Sequence, residues 1–272
     1  MLAPGKESGG VRPSSAAGLY YPKEAEGLRC ALRTLLGSGG TTAGRPPKAL
    51  VVPHAGYAYS GAVAASAYCT LEGDAAAGIR HVVLLGPSHR VKMHGLAMPS
   101  CDYFATPFGQ VRINDAGRRH LRELGLAGIA DEPHALEHSL EVQLPFLQSV
   151  LNDFDLLPIA VGLSPPEQVG RALDAVWGGP ETLVVVSSDL SHHHTHVEAQ
   201  ALDQKTAMHI VARRSDLTES QACGADSING LMEVARRRGL EVQLLDRRTS
   251  SNTAGDRQRV VGYGSFALYA RD

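Results

Sequence analysis

Six short strand-like runs follow Lys48: ALVVP, HVVLLG, LLPIAVG, TLVVVSS, EVQLL and SFALYA. Several are apolar without alternation, and a strand of that kind must be covered on both faces. Ala-, Leu- or Glu-rich stretches of helical character separate the runs. The expected architecture is therefore an α/β three-layer sandwich, with a central, mostly parallel or mixed sheet flanked by helices.

The 272 residues, 43% of them hydrophobic, suffice for one sizeable core. A single domain is expected over residues 14–272, behind a flexible Gly-, Pro- and Ser-rich tail at 1–13. GLYYPKEAEGLRCALRTLL reads as a turn and an amphipathic helix. The following GSGGTTAGRPP, Gly37 to Pro47, lacks the Gly-Lys-Ser/Thr ending and the preceding strand of a phosphate loop, so it reads as a connector. In EHSLEVQLPFLQSVL, Leu140, Leu144, Leu147 and Leu151 keep helical spacing, and Pro145 must either break that helix or begin a second one. Residues 226–239 read as a further helix, with arginines at 236–238 and a Gly239 cap.

A formal net charge of -2 gives no field that would attract nucleic acid or an anionic bilayer, so neither is expected as a partner. No stretch approaches the length of a spanning helix, and the four scattered cysteines form no C-x-x-C pair. Both observations point to a reducing, cytoplasmic location.

Three apolar strands run straight into groups able to bind metal: His54 in VVPHAGY, His89 in LLGPSH, and Asp189 with His192, His193 and His194 in SSDLSHHH. In open α/β sheets the ligand crevice forms at the carboxyl ends of the strands. A single histidine after a strand is usually structural; its repetition at three strand ends points to a divalent metal site. Cys223 reads on its own as an inert buried thiol, although the following glycine permits close backbone approach. His192 keeps a fixed offset from Asp189, whereas the histidines after it read as a polar loop.

PHAGYAYSG, LLGPSH, TPFG, EHSLEVQLPFL, SSDLSHH and ACG occur in an order that resembles the Memo family, whose prokaryotic members are also called AmmeMemoRadiSam system protein B. The resemblance runs from SSAAGLYYP to GYGSFALY. It implies a fold similar to class III extradiol non-haem iron dioxygenases, and a metal held by His54, His89 and Cys223. It assigns Asp189 and His192 to acid/base work, and places Tyr57, Glu137, His138, Glu141 and His193 in the substrate pocket or behind the ligands. Fe(2+) is the implied ion, with Cu or Zn as alternatives. The site departs from the dioxygenases in offering a thiolate where they use a carboxylate, and from many relatives in reading ADSING where a Pro-Ile pair follows Cys-Gly.

The function expected is a dioxygenase-like, iron-dependent oxidoreductase acting on a small molecule, with His192, oriented by Asp189, moving a proton. The alternative is a binding or signalling protein that takes a peptide or partner protein in the same cleft. The resemblance implies radical-SAM and AMMECR1-like proteins as partners. A zinc hydrolase is the third expectation.

Overall fold

A computed structural model describes residues 10–38, 46–71, 73–253 and 256–271. In chain order the strands are β1 (Val11–Arg12), β2 (Ala49–Val52), β3 (His81–Pro87), β4 (Leu96–Met98), β5 (Tyr103–Thr106), β6 (Gly109–Arg112), β7 (Gly128–Ile129), β8 (Asp155–Val161), β9 (Thr182–Ser187), β10 (His192–His194), β11 (Glu241–Thr249) and β12 (Val260–Tyr269). The helices are α1 (Ala25–Gly37), α2 (Tyr57–Tyr68), α3 (Asp115–Glu123), α4 (Glu132–Ala135), α5 (Leu144–Val150), α6 (Pro166–Ala175), α7 (His196–Val211) and α8 (Ala225–Arg237).

The main sheet runs β10-β12-β2-β9-β3-β8-β4-β7, with β11 also paired to β12. Its centre, β2-β9-β3-β8, is parallel throughout. β12 and β4 flank it antiparallel. These central strands are the runs without alternation, and both of their faces are covered. Val51, Val83, Leu85, Val184 and Val186 pack with α6, α7 and α8 on one side. Leu50, Val52, Val82, Leu84 and Val185 pack with α1, α2 and α5 on the other. Glycine permits the tightest helix contact: a Cβ on Gly230 of α8 would lie 2.4 Å from Val169 of α6.

Two expectations change. Residues 1–9 of the expected tail lie outside the described residues, but β1 pairs with β5 and Arg12 is buried because its guanidinium finds a carboxylate and carbonyls inside the fold. Of the Gly37–Pro47 connector, residues 39–45 lie outside the described residues. The helix read across residues 137–151 begins only at Leu144, after a 3-10 turn at Glu141–Gln143. Pro145 occupies its first turn, where a missing N–H costs no hydrogen bond. Glu137 and His138 are thereby left in loop conformation.

Candidate metal centre

The order β2-β9-β3 brings three strand ends side by side. His54 leaves β2, Asp189 leaves β9 and His89 leaves β3, so the central strand is flanked by one imidazole on each side. Adjacent strands are about 4.8 Å apart, a spacing that two histidine side chains can close from either side. One ligand atom from each of His54, His89 and His138 falls within 4.8 Å of the others. Cys223, just ahead of α8, places its Sγ 3.3 Å from His54 Nε2. The glycine after it is required by close approach: a Cβ on Gly224 would meet the Ser187 carbonyl at 2.8 Å.

Hydrogen bonds settle the state of His54. Gln143 Nε2 donates to the Pro53 carbonyl and to Ser187 Oγ, while Ser187 spends its only proton on the Ser139 carbonyl. Ser187 Oγ must therefore accept from His54 Nδ1–H at 2.9 Å. His54 Nε2 therefore keeps its lone pair, which faces the Cys223 thiol 3.3 Å away.

His89 follows the same logic with a different partner. Its Nδ1 donates at 2.9 Å to Glu137 Oε1, and its backbone N–H donates at 2.6 Å to Glu137 Oε2. Burial works to raise the Glu137 pKa, but the hydrogen bond and charge of His89 outweigh it and hold the carboxyl at about 2. An ionised carboxylate only accepts, so His89 Nδ1 carries a proton and Nε2 is the nitrogen left to face a ligand. A carboxylate behind a ligand imidazole is a recurrent metal-site arrangement.

His138 lies between Tyr20 and His89, stacked at 4.2 Å on the first and 4.9 Å on the second, and meets His54 edge-on. Its Nδ1 is buried and unpartnered among the described residues, 3.3 Å from Glu137 Oε1 but without hydrogen-bond geometry. Burial, then the neighbouring His54, pushes this imidazole down to about 4. Burial and then His89 hold His54 well below its ordinary value. Both are thus neutral near pH 7, as ligands must be. The Cys223 thiol is pushed up by burial and by Asp189, so without a cation it keeps its proton. A metal ion would replace that proton.

A crowded group of imidazoles and a thiol, with the buried His138 Nδ1 unpartnered among the described residues, fits a divalent ion of intermediate softness. Imidazole and sulfur donors suit iron, zinc or copper better than magnesium or calcium.

The remaining expected residues divide. Asp189 is buried, its pKa raised by that burial, and its Oδ1 accepts from the His54 backbone at 2.8 Å. It shows no hydrogen bond to His192; the Leu190 carbonyl orients that ring, accepting from Nδ1 at 2.9 Å. Tyr57 packs against Tyr21 and Phe146 and spends its hydroxyl on the Val142 carbonyl, so it belongs to the core. Glu141 faces away from the histidines, accepting from Arg12, Ser14, Ser15, Ala16 and Tyr21. His193 is exposed, with φ at 65° and its Nδ1 accepting from Arg259. Sequence reasoning missed Ser187, Gln143 and Tyr20. The SSD motif carried Ser187 in plain view, but a hydroxyl signals nothing until its partners are known.

These observations define an α/β protein with an imidazole and thiol cluster at the carboxyl edge of a mainly parallel sheet. The family model for Memo-like proteins matches residues 12–267, and the chain belongs to the Memo family. It is 33% identical over 268 residues to a MEMO1 family protein of Aquifex aeolicus, covering 93% of this chain and 97% of that one. A MEMO1 family protein of Sulfolobus acidocaldarius is 33% identical over 239 residues, covering 80% and 81%. One from Methanothermobacter thermautotrophicus is 31% identical over 278 residues, covering 94% and 100%. A solved structure of an uncharacterized Escherichia coli K12 protein aligns with a TM-score of 0.47 at 11% identity, covering 70% of this chain and 86% of that one. At that level the likeness says nothing about the site. Among the described residues no helix is long and apolar enough to cross a membrane.

Proposed function

We propose that the chain holds one divalent iron ion through His54, His89 and Cys223, with His138 as a further donor, and that it is an oxidoreductase of the dioxygenase-like kind. The convergence of imidazole ligand atoms within 4.8 Å of one another carries this reading. Iron, when bound, supplies open coordination positions and a redox couple suited to dioxygen chemistry.

The chain's own residues would do the rest. Ser187 and Glu137 aim the two Nε2 lone pairs. His192, with Nδ1–H given to the Leu190 carbonyl, presents Nε2 as the nitrogen that would take a proton from a substrate hydroxyl. Asp189 ties the His54 backbone in place and receives the Cys223 sulfur at its own backbone N–H, 3.3 Å away. Recognition of a peptide in the same cleft is the second reading. It is favoured by Leu19 and Leu136, exposed by 80% and 68%, next to Tyr20 and Glu137 in the chain.

The test is metal content by mass spectrometry on untagged protein purified anaerobically. Near one iron per chain is expected in the wild type, lost in His54→Ala and Cys223→Ser, and bound more weakly in His138→Ala. Oxygen consumption with an electron-rich aromatic compound should then vanish in His192→Gln while the iron stays. Wild-type protein without metal would overturn the proposal, and tightly held zinc with chelator-sensitive esterase activity would replace it with a hydrolase.

A further inference from the structure

One peptide unit behind the site is gripped from both edges. Its carbonyl, that of Leu190, accepts from His192 Nδ1 at 2.9 Å. Its N–H, that of Ser191, donates to Asp203 Oδ1 at 3.0 Å. A trans peptide is planar, with its C=O and N–H pointing in opposite directions, so Asp203 and His192 stand at opposite edges of a single plane. The neighbouring peptides are bonded elsewhere. Leu190 N–H donates to the Gly262 carbonyl and Gly262 N–H donates to the Ser191 carbonyl, both at 2.8 Å. These bonds fix the chain on either side of the plane and leave its rotation to Asp203 and His192.

Asp203 is out of place as a packing residue. It lies on the inner face of α7 at 0% exposure, and its Oδ2 is buried without a hydrogen-bond partner among the described residues. A carboxyl so placed costs stability, and an apolar side chain would serve the core better. The chain nevertheless makes room for it. A Cβ on Gly262 of β12 would collide with Asp203 Oδ2, and one on Gly264 would fall 2.9 Å from Leu190 Cδ1. The two glycines of GYGSFALY therefore admit both the carboxyl and the loop that it holds.

We infer that Asp203 is the positioning residue of His192, acting through the Leu190–Ser191 peptide in the place where the sequence suggested Asp189. That role rests on the reading of His192 as the base of the site. An acceptor on the Ser191 N–H polarises the peptide and strengthens the Leu190 carbonyl as an acceptor in turn. A carbonyl only accepts, so it keeps the ring proton on Nδ1 and leaves Nε2 as the basic nitrogen. Without the carboxyl the plane is free to turn, its carbonyl is lost to His192, and the proton moves to Nε2, the nitrogen that mostly carries it in histidine free in water.

The tautomer of His192 provides a test that does not depend on turnover. Long-range proton–nitrogen NMR spectra of the full chain, labelled at its histidines and loaded with zinc as a diamagnetic ion, show which ring nitrogen is protonated. They are recorded at about pH 8, above the range in which histidine titrates, and loss of a signal in His192→Gln assigns it. The wild type is expected to hold the Nδ1–H form. Asp203→Ala should shift it toward Nε2–H, as should Asp203→Leu, which has nearly the shape of Asp but no acceptor; Asp203→Asn, which keeps an acceptor oxygen, should retain Nδ1–H. Thr206→Ala, at a similarly buried position of α7, should lower stability and leave the tautomer alone. Oxygen consumption should follow the same order, kcat falling about tenfold or more in Asp203→Ala, with iron content unchanged, and recovering in Asp203→Asn. A wild-type ring protonated at Nε2, or a tautomer indifferent to both Asp203→Ala and Asp203→Leu, overturns the inference. A wild type that shows the expected tautomers but consumes no oxygen sinks the oxidoreductase reading instead and leaves Asp203 its hold on His192.

Discussion

Glu137 and Glu141 stand in one segment and are equally inaccessible, at 1% and 0% exposure, yet they serve opposite sides of it. Glu141 looks back toward the N-terminal segment, where its oxygens accept from Arg12, Tyr21, two serines and backbone N–H groups. Arg12 is consumed just as fully, donating also to the carbonyls of His134 and Glu137. Glu137 looks forward and polarises His89, whose other nitrogen is left for something else. Burial alone therefore does not mark a functional carboxylate. On the back wall the Glu141 oxygens and the Arg12 guanidinium are spent within the chain, whereas on the front imidazole ligand atoms of His54, His89 and His138 converge, and that is where a ligand gains most.

The contrast is broken most severely from behind. Arg12→Ala leaves Glu141 ionised and buried without its cation, and removal of one partner from such a pair costs about 3–5 kcal/mol. Urea unfolding should register that loss. A cost below about 1 kcal/mol for Arg12→Ala, the level of an exposed pair, would mean that the back wall is not a closed network.

Acid probes the same wall. Burial pushes His134 down to about 4, against the hydrogen bond it gives the Ala97 carbonyl. An unfolded histidine titrates near 6.5, so between pH 6.5 and 4 the unfolded chain binds the extra proton. Stability from this group is complete above about 6.5, declines as the pH falls, and is lost through about 4, for a total of about 3 kcal/mol. His134→Gln should flatten that part of the stability profile relative to wild type. Parallel profiles would show that His134 is not held neutral.

The front should yield a smaller effect of a different kind. Glu137→Gln keeps the shape but weakens the orientation of His89, and loss of such a supporting partner lowers metal affinity about 10–100-fold. Competition with a chromogenic chelator measures it. An unchanged affinity would mean that Glu137 belongs with Glu141 as a structural group.

Much of this was legible in the chain. The unalternating strands required a covered sheet, and Val51, Val83 and Val184 indeed face one core while Leu50, Val82 and Val185 face the other. The placement of His54, His89 and Asp189 at strand ends followed from pattern alone. Tyr57 and Glu141 carried a plausible motif and yet were turned inward, because the Val142 carbonyl and the Arg12 guanidinium were nearer partners than any ligand.

Sequence by itself thus determined the layers, the crevice edge and the residue types that gather there, since periodicity and chain direction are local properties. Which donors meet was decided by tertiary structure. The insertion of β9 between β2 and β3 sets His54 opposite His89. The arrest of a helix before Leu144 lets His138 stack beside them. The three-way contest for the Ser187 hydroxyl fixes which nitrogen of His54 carries its proton. Contacts between residues 54, 138, 187 and 223 depend on how distant segments pack, and no local pattern records that.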